Sequence, residues 1–409
     1  MDQAAVIIPP ILLAITLICL QQARSMRNSL EGYRQVTLSG PSNMNDEMDL
    51  KYAKPPDSRK SPEGSKWKVK ALYIHPIKSC AGVELDVAEV DAAGFTWDRK
   101  FAFAELLTPQ TGPRATDAEK MPRWTFRTLR QPGWERLALV KPEIWLPDQA
   151  TKRTSIDEGW MVVRYPHIPV GPLASLFRLL IWLGFLSSER SFRAPLTPPP
   201  NHKYPSEDVK VWKDLPNWLN YGVHLPKDFG PFIGVSNPVT LFRVDPNSYR
   251  KVYRCAPRKE QIGYQPVVGF ADAYPVHLLN IASVRDIAGR VQKDIPRFSA
   301  RRFRSNVLVD GPGAYNEDDW KKVRIGSHIF YCACRTVRCR LPNVDPDTAV
   351  RHPAEPDKTL KSFRCIDEGD PLNACLGLQL VPADSGPFRL HAGDEVEVLE
   401  RGYHKYIKQ

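Results

Sequence analysis

Glycine is scarce beside proline, 24 against 38 in 409 residues. Punctuation of that kind argues against a long helical array and for short strands joined by frequent turns. Eight cysteines are too few for the dense disulfide framework of a small secreted domain, so reduced thiols are the default. No repeat of fixed period occurs. Zinc-finger spacing, an RNA-binding signature and a basic-region heptad are all missing, which makes nucleic acid a poor choice of partner despite a net charge of +11. Flavin, haem and nicotinamide fingerprints are missing too.

The positive balance favours an anionic partner: acidic lipid, an acidic protein face or a phosphorylated cofactor. The length allows two or three domains. Residues 4–20 (AAVIIPPILLAITLICL) carry no charge, and Thr16 is their one polar side chain. A bilayer span needs roughly 20 such residues, and a signal-peptide core about 7–15. Asp2 precedes the run, whereas Arg24, Arg27 and Arg34 follow it. The positive-inside rule then leaves the rest of the chain on the cytosolic side of an uncleaved anchor, residues 1–27. A cleaved presequence is the competing reading. Residues 28–65 are polar and rich in Pro, Ser and Lys, as expected of a flexible linker.

Trp67, Val69, Ala71, Leu72, Tyr73 and Ile74 read as a strand that becomes buried on both faces. Alternating segments and turn signals follow at short intervals, an antiparallel β pattern. Residues 173–186 (LASLFRLLIWLGFL) differ: an apolar helix too short to span a bilayer, either interfacial or buried. Residues 212–222 allow a short helix. Asn280 is placed to cap a helix carrying Ile281, Val284, Ile287, Ala288 and Val291. The most chemical stretch is 331–348, with Cys332, Cys334 and Cys339 among Arg335, Arg338 and Arg340, followed by Asp345 and Asp347. Fixed positive charge lowers a thiol pKa and makes a nucleophile, a redox thiol or a soft-metal ligand. The spacing does not suit a structural zinc site, and two buried strand cysteines plus one surface cysteine is the favoured reading of the window alone.

The ordered set of motifs resembles a known family. His75, Pro76, Ile77, Lys78, Ser79 and Cys80, then Gly94, Asp98 and Arg99, look like the N-terminal β-barrel region of MOSC proteins. Phe303, Arg304, Ser305 and Asn306; Glu317, Asp318 and Trp320; Arg338 and Cys339; Val344, Asp345, Pro346, Asp347 and Thr348; and Gly393 with Asp394 look like the MOSC domain. Glu355, Pro356 and the segment 359–364 are similar to the mitochondrial amidoxime-reducing components.

The resemblance implies a mainly β, α+β chain. Residues 66–260 would form the MOSC N-terminal β domain, with an insertion near 141–205, packed on a MOSC β-barrel of residues 261–409. It also implies a molybdenum cofactor, molybdopterin with Mo, for which Cys339 matches the protein thiolate ligand. Lys78, Ser79, Arg99, Thr128, Arg130, Tyr274, Arg304, Asn306 and Arg338 match cofactor-contact segments, and Asp347 either lines the metal pocket or caps a turn. The implied reaction is reduction of amidoximes, hydroxylamines, N-oxides, nitrite or nitrate. Electrons would come from cytochrome b5 and its NADH-dependent reductase, at the mitochondrial outer membrane or the endoplasmic reticulum. Two rival readings are a cofactor carrier or sulfur-handling protein and a non-enzymatic membrane module. Full sulfurase activity would need a pyridoxal-phosphate domain for which the chain has no room. Departures from the family pattern lie at Ala273 and Tyr274 (commonly Thr-Ser), Ser305 (commonly Pro), Ala349 (commonly Gly) and Gln379.

Overall fold

A computed structural model describes residues 30–55, 66–108, 121–148, 159–200 and 203–408. The fold is mainly β. Eight strands form one sheet, in the spatial order Val307–Asp310, Val276–Asn280, Cys375–Pro382, His328–Val337, Trp320–Ile325, Glu395–Arg401, Trp67–Ile74 and Val83–Leu85. It closes on itself because Val307–Asp310 also pairs antiparallel with Trp67–Ile74. A smaller closed barrel contains Ser206–Lys210, Asn217–Asn220, Val239–Arg243, Phe101–Leu107 and Arg123–Phe126. Closure leaves a barrel without free edges, which suits a proline-rich chain of short strands.

Trp67–Ile74 shows how sequence becomes packing. Trp67, Val69, Leu72 and Ile74 enter the main core, whereas Ala71 and Tyr73 enter a second cluster on the other face. The alternation slips between Val69 and Leu72, where a bulge between Leu308 and Val309 shifts the register. The second cluster is covered by the helix Ile281–Arg290, which contributes Ile281, Val284, Ile287 and Ala288. Asn280 caps this helix by accepting from the Ala282 amide at 3.0 Å. Its amide nitrogen also donates to Gly313 O at 2.7 Å and Glu317 Oε2 at 3.0 Å.

Three expectations change. Residues 30–55 are not a free tether. Tyr33–Val36 pairs with Lys141–Pro147, Met44 and Tyr52 are buried in the second cluster, and Lys70 Nζ reaches Asp46 at 2.7 Å. A polar, proline-rich composition hid these few anchoring side chains. Nor is 66–260 a self-contained unit, because Trp67–Ile74 is a stave of the larger barrel whose other long strands come from the C-terminal half. Within 212–222, Asn217–Asn220 is a strand of the smaller barrel, since pairing with Val239–Arg243 overrides weak local helix preference.

The described residues of the 141–205 insertion carry strands of their own. Lys141–Pro147, Trp160–Pro166 and Glu189–Pro195 join Tyr33–Val36 in a four-stranded sheet. Between the last two strands lies the helix Ala174–Trp182, which is not a core helix: Leu180 is its one buried residue. Among the described residues no helix is long and apolar enough to cross a membrane. The apolar run 4–20 lies outside them.

Candidate active site

A cleft of about 150 Å³ opens where the two barrels meet, far larger than a packing defect. Its walls include Lys78, Ser79, Arg99, Asp272, Tyr274, His277, Arg304, Asn306, Thr336, Arg338, Cys339 and Gln379. The turn that follows Trp67–Ile74 supplies Lys78 and Ser79. It is pinned to the smaller barrel by the Lys78 amide, which donates to Phe101 O at 2.8 Å. Ser79, Arg99 and Arg304 all adopt positive φ, 69°, 50° and 56°. Left-handed backbone at three non-glycine residues costs on the order of 1–3 kcal/mol each, a strain that clusters at functional sites.

The strain is held by a hydrogen-bond lattice. Arg99 Nη2 donates to Arg304 O at 2.8 Å, and its Nη1 contacts Asp98 and Asn306 Oδ1. Asn306 Oδ1 also accepts from the His277 amide at 3.0 Å, while its Nδ2 donates to Tyr73 O at 3.1 Å. Asn306 therefore ties Trp67–Ile74 to Val276–Asn280 directly behind the cleft. Arg338 leaves the end of His328–Val337 and is fully anchored. Its Nε and Nη2 donate to Leu376 O at 2.9 and 2.6 Å, and Nη2 meets His277 Nε2 at 2.6 Å.

Cys339 follows Arg338 and is, among the described residues, the one cysteine on the cleft wall. Cys332 and Cys334 point into apolar clusters, where burial pushes the Cys332 thiol up and the Cys255 contact and burial push Cys334 up. The expected thiolate-stabilising trio is corrected. Burial raises the Cys339 pKa, and Arg130 and Arg338 offset this only in part. Arg335 instead donates to Asp318 O and faces Asp367, and Arg340 reaches Pro353 O. Arg335 lines the same cleft, but its charge is met by Asp367 and not by the thiol.

Cationic side chains dominate. Arg302 is committed to Asp345 and Pro342 O and Arg99 to Asp98, but Lys78, Arg304 and Arg338 face one lining carboxylate, Asp272. Burial pushes Arg304 and Arg338 down to about 10. Burial would raise Asp272, but Lys78, Arg99 and Arg130 bring it down to about 2. Burial pushes Lys78 down to about 8 although Asp272 Oδ1, at 2.7 Å, pulls it back. Its positive charge is therefore present below pH 8 and lost as pH rises through that value. Pyrophosphate affinity, followed by calorimetry, should weaken across this range. In Lys78→Arg the step should vanish, since arginine keeps its proton; a step that persists would assign it to another group.

Thr128 and Arg130 lie beside the cleft rather than on its wall. Thr128 Oγ1 donates to Gln131 Oε1 at 2.7 Å and accepts from the Arg130 amide, shaping a turn. The turn is tied to the cleft by Leu129 N–H, which donates to Ser79 Oγ at 3.2 Å. Arg130 stacks on Trp212 at 4.5 Å, and Trp212 Nε1 donates to Asp272 Oδ1 at 3.2 Å. Asp347 does not line the cleft: both its oxygens pair with Arg301, at 2.9 and 2.6 Å. The turn is capped by Asp345 instead, which accepts from the Asp347 and Thr348 amides at 3.0 Å each. Ala349 takes the left-handed φ of 58° that glycine would adopt without strain, so the turn is kept. The sequence reading missed His277 and Thr336 as cleft residues, and no motif or spacing marked either one.

Two interlocked β-barrels with an anion-seeking cleft and a single thiol at their junction define a cofactor-clasping β protein. Residues 265–397 match the MOSC domain and residues 66–163 the MOSC N-terminal beta barrel domain. The chain belongs to the MOSC-domain family. It is similar to mitochondrial amidoxime reducing component 2 of Bos taurus, 36% identical over 302 residues, or 74% of each chain. It is 35% identical over 125 residues to mitochondrial amidoxime-reducing component 1 of Mus musculus, an alignment that covers 31% of this chain and 34% of that relative. A molybdenum cofactor sulfurase of Oryza sativa is 24% identical over 306 residues, 72% of this chain but 31% of its own length.

Such relatives point to an association with the molybdenum cofactor, and the cleft can be tested for fit. Arg304 Nη2 and Thr336 Oγ1 are buried with no hydrogen-bond partner among the described residues. Both belong to residues that line the cleft. Buried donors without partners are costly, and an anionic, oxygen-rich ligand would satisfy them. A soft thiol on the same wall suits molybdenum. The residues fit the group.

Proposed function

We propose that this chain is a molybdenum-dependent reductase of N-oxygenated compounds: amidoximes, hydroxylamines, N-oxides, nitrite or nitrate. The observation that carries the reading is the cleft itself, where Cys339 shares a wall with Lys78, Arg304 and Arg338, three cations that face the one lining carboxylate Asp272. Lys78, Arg99, Arg304 and Arg338 would hold the phosphate and polar edges of molybdopterin, by charge-assisted hydrogen bonds, and Cys339 would ligate Mo. Arg130 acts on the same pocket from its rim through charge. When bound, the cofactor supplies two-electron oxygen-atom chemistry; the protein supplies binding, orientation and electrostatics.

For an amidoxime the balance is cleavage of one N–O bond, with two electrons and two protons consumed and one water released. The chain's sequence carries no flavin, haem or nicotinamide fingerprint, so the electrons would come from cytochrome b5 and its NADH-dependent reductase. The net charge of +11 suits steering of an acidic electron carrier. Residues 4–20 would anchor the chain with its catalytic part facing the cytosol, at the mitochondrial outer membrane in preference to the endoplasmic reticulum.

The test is metal and pterin analysis of protein from a cofactor-competent host, paired with an amidoxime reduction assay driven by cytochrome b5 and its reductase. Stoichiometric Mo with turnover is the expected result. Mo without turnover would favour the carrier reading, and neither Mo nor pterin would sink both.

A further inference from the structure

The helix Ala174–Trp182 is apolar on both faces. Phe177, Leu180 and Ile181 turn toward the protein, and only Leu180 is fully buried. The outer face presents Leu176, Leu179, Trp182 and Leu183, with Leu173 before it and Phe185 after it, all exposed. Trp182 is 80 % exposed and Leu179 49 %. A helix apolar all round belongs in a core or against another apolar phase. Contiguous exposed apolar surface of this kind marks an interaction site.

We infer that this helix and the turn after it form a lipid-facing contact that seats the four-stranded sheet in the interfacial layer of a bilayer. Three observations select lipid as the occupant. First, residues 159–188 contain no Asp or Glu, and Arg178 is the one charge on the helix. Arg178 is exposed at the edge of the apolar face, where its guanidinium can rise to lipid phosphate while its stem stays apolar. Second, a nine-residue helix is only about 13 Å long, and a stable protein interface uses roughly 20–30 residues a side. Six apolar side chains on a narrow ridge are too few for a lasting dimer but enough for interfacial insertion, with Trp182 at the depth tryptophan prefers.

The third observation is where the chain enters. Tyr33–Val36 is the edge strand of the same sheet. Twelve residues, 21–32, separate it from the apolar run 4–20, a reach of at most about 40 Å. The helix sits at the opposite end of the sheet from that entry point and two strands across, because Tyr33 pairs with Pro147 at one end and the helix joins Pro166 to Glu189 at the other, a separation the twelve residues can span. With the run 4–20 in a bilayer, the helix is within reach of the same surface. The inference is independent of the cofactor.

The test uses the full chain reconstituted in phosphatidylcholine vesicles that carry a photoactivatable phosphatidylcholine, with adducts mapped by mass spectrometry. The peptide 173–185 should be labelled. The double variant Leu179→Glu, Trp182→Glu should lower its labelling about tenfold or more while its thermal midpoint stays unchanged, since both side chains are solvent-facing. Labelling should persist in high salt, because apolar insertion is not screened. Absence of adducts on 173–185, or their loss in salt alone, would overturn the inference. So would a doubled mass in sedimentation that the variant reverses without lipid labelling, which would assign the face to a second copy.

Discussion

Cys339→Ala should lose amidoxime reduction by about a hundredfold or more, with bound molybdenum falling in parallel. Among the described residues Cys339 is the one cysteine on the cleft wall, so none of the other described thiols takes its place. Cys332 and Cys334 are buried in apolar clusters on the preceding strand. Because burial raises the Cys339 pKa, the thiol is protonated at neutral pH until a cation captures the sulfur, and metal capture must release a proton. Two further results follow from that. The metal-free protein should react slowly with alkylating reagents at Cys339, and metal loading should become more favourable as pH rises. Cys332→Ala is the control, with a modest loss of stability and full turnover per molybdenum. Full activity in Cys339→Ala, measured with the cytochrome b5 system, would refute the proposed ligand.

Asn306→Ala should be the most destabilising single change near the cleft, by roughly 3 kcal/mol in metal-free protein. Its side chain satisfies two buried backbone groups, Tyr73 O and the His277 amide. Each group left without a partner costs about 1–3 kcal/mol. It also steadies Arg99 through a contact at 3.3 Å, so the loss should loosen the lattice that holds Arg304 in its left-handed turn. The measurement is the urea midpoint, with an unchanged slope showing that the unfolded state is unaltered. A midpoint within error of the parent chain would mean that Asn306 serves ligand binding and not the joint between strands.

Much of the fold is legible in the sequence. The β character followed from alternation and proline punctuation, and the 281–290 helix from Asn280 and the spacing of its apolar residues. The cleft's composition followed from motifs, because Lys78, Ser79, Arg99, Tyr274, Arg304, Asn306, Arg338 and Cys339 do converge. What stayed hidden was direction. Arg335 lines the cleft but is spent on Asp318 O and Asp367, Arg340 reaches Pro353 O instead, and Asp347 sits in the right motif yet is occupied by Arg301. Partners contributed by distant segments, such as His277 for Arg338, leave no local trace. The ordering of 30–55 was missed for the same reason, since its anchors, Met44 and Tyr52, are isolated apolar residues in a polar stretch.

Trp67–Ile74 closes the larger barrel between Val307–Asp310 on one side and Glu395–Arg401 on the other. The first strand of that barrel to leave the ribosome gains Val83–Leu85 beside Leu72–Ile74 early, but waits for Val307–Asp310 on one edge and for Glu395–Arg401 beside Trp67 and Lys68 on the other. Contacts separated by several hundred residues carry a large loop-closure penalty, and chains built on them fold slowly. The larger barrel is not a module that could be cut out and exchanged: a break between residues 86 and 275 separates Trp67–Ile74 from the C-terminal strands it pairs with. The cleft belongs to neither half, and it can exist only after the whole chain has come together.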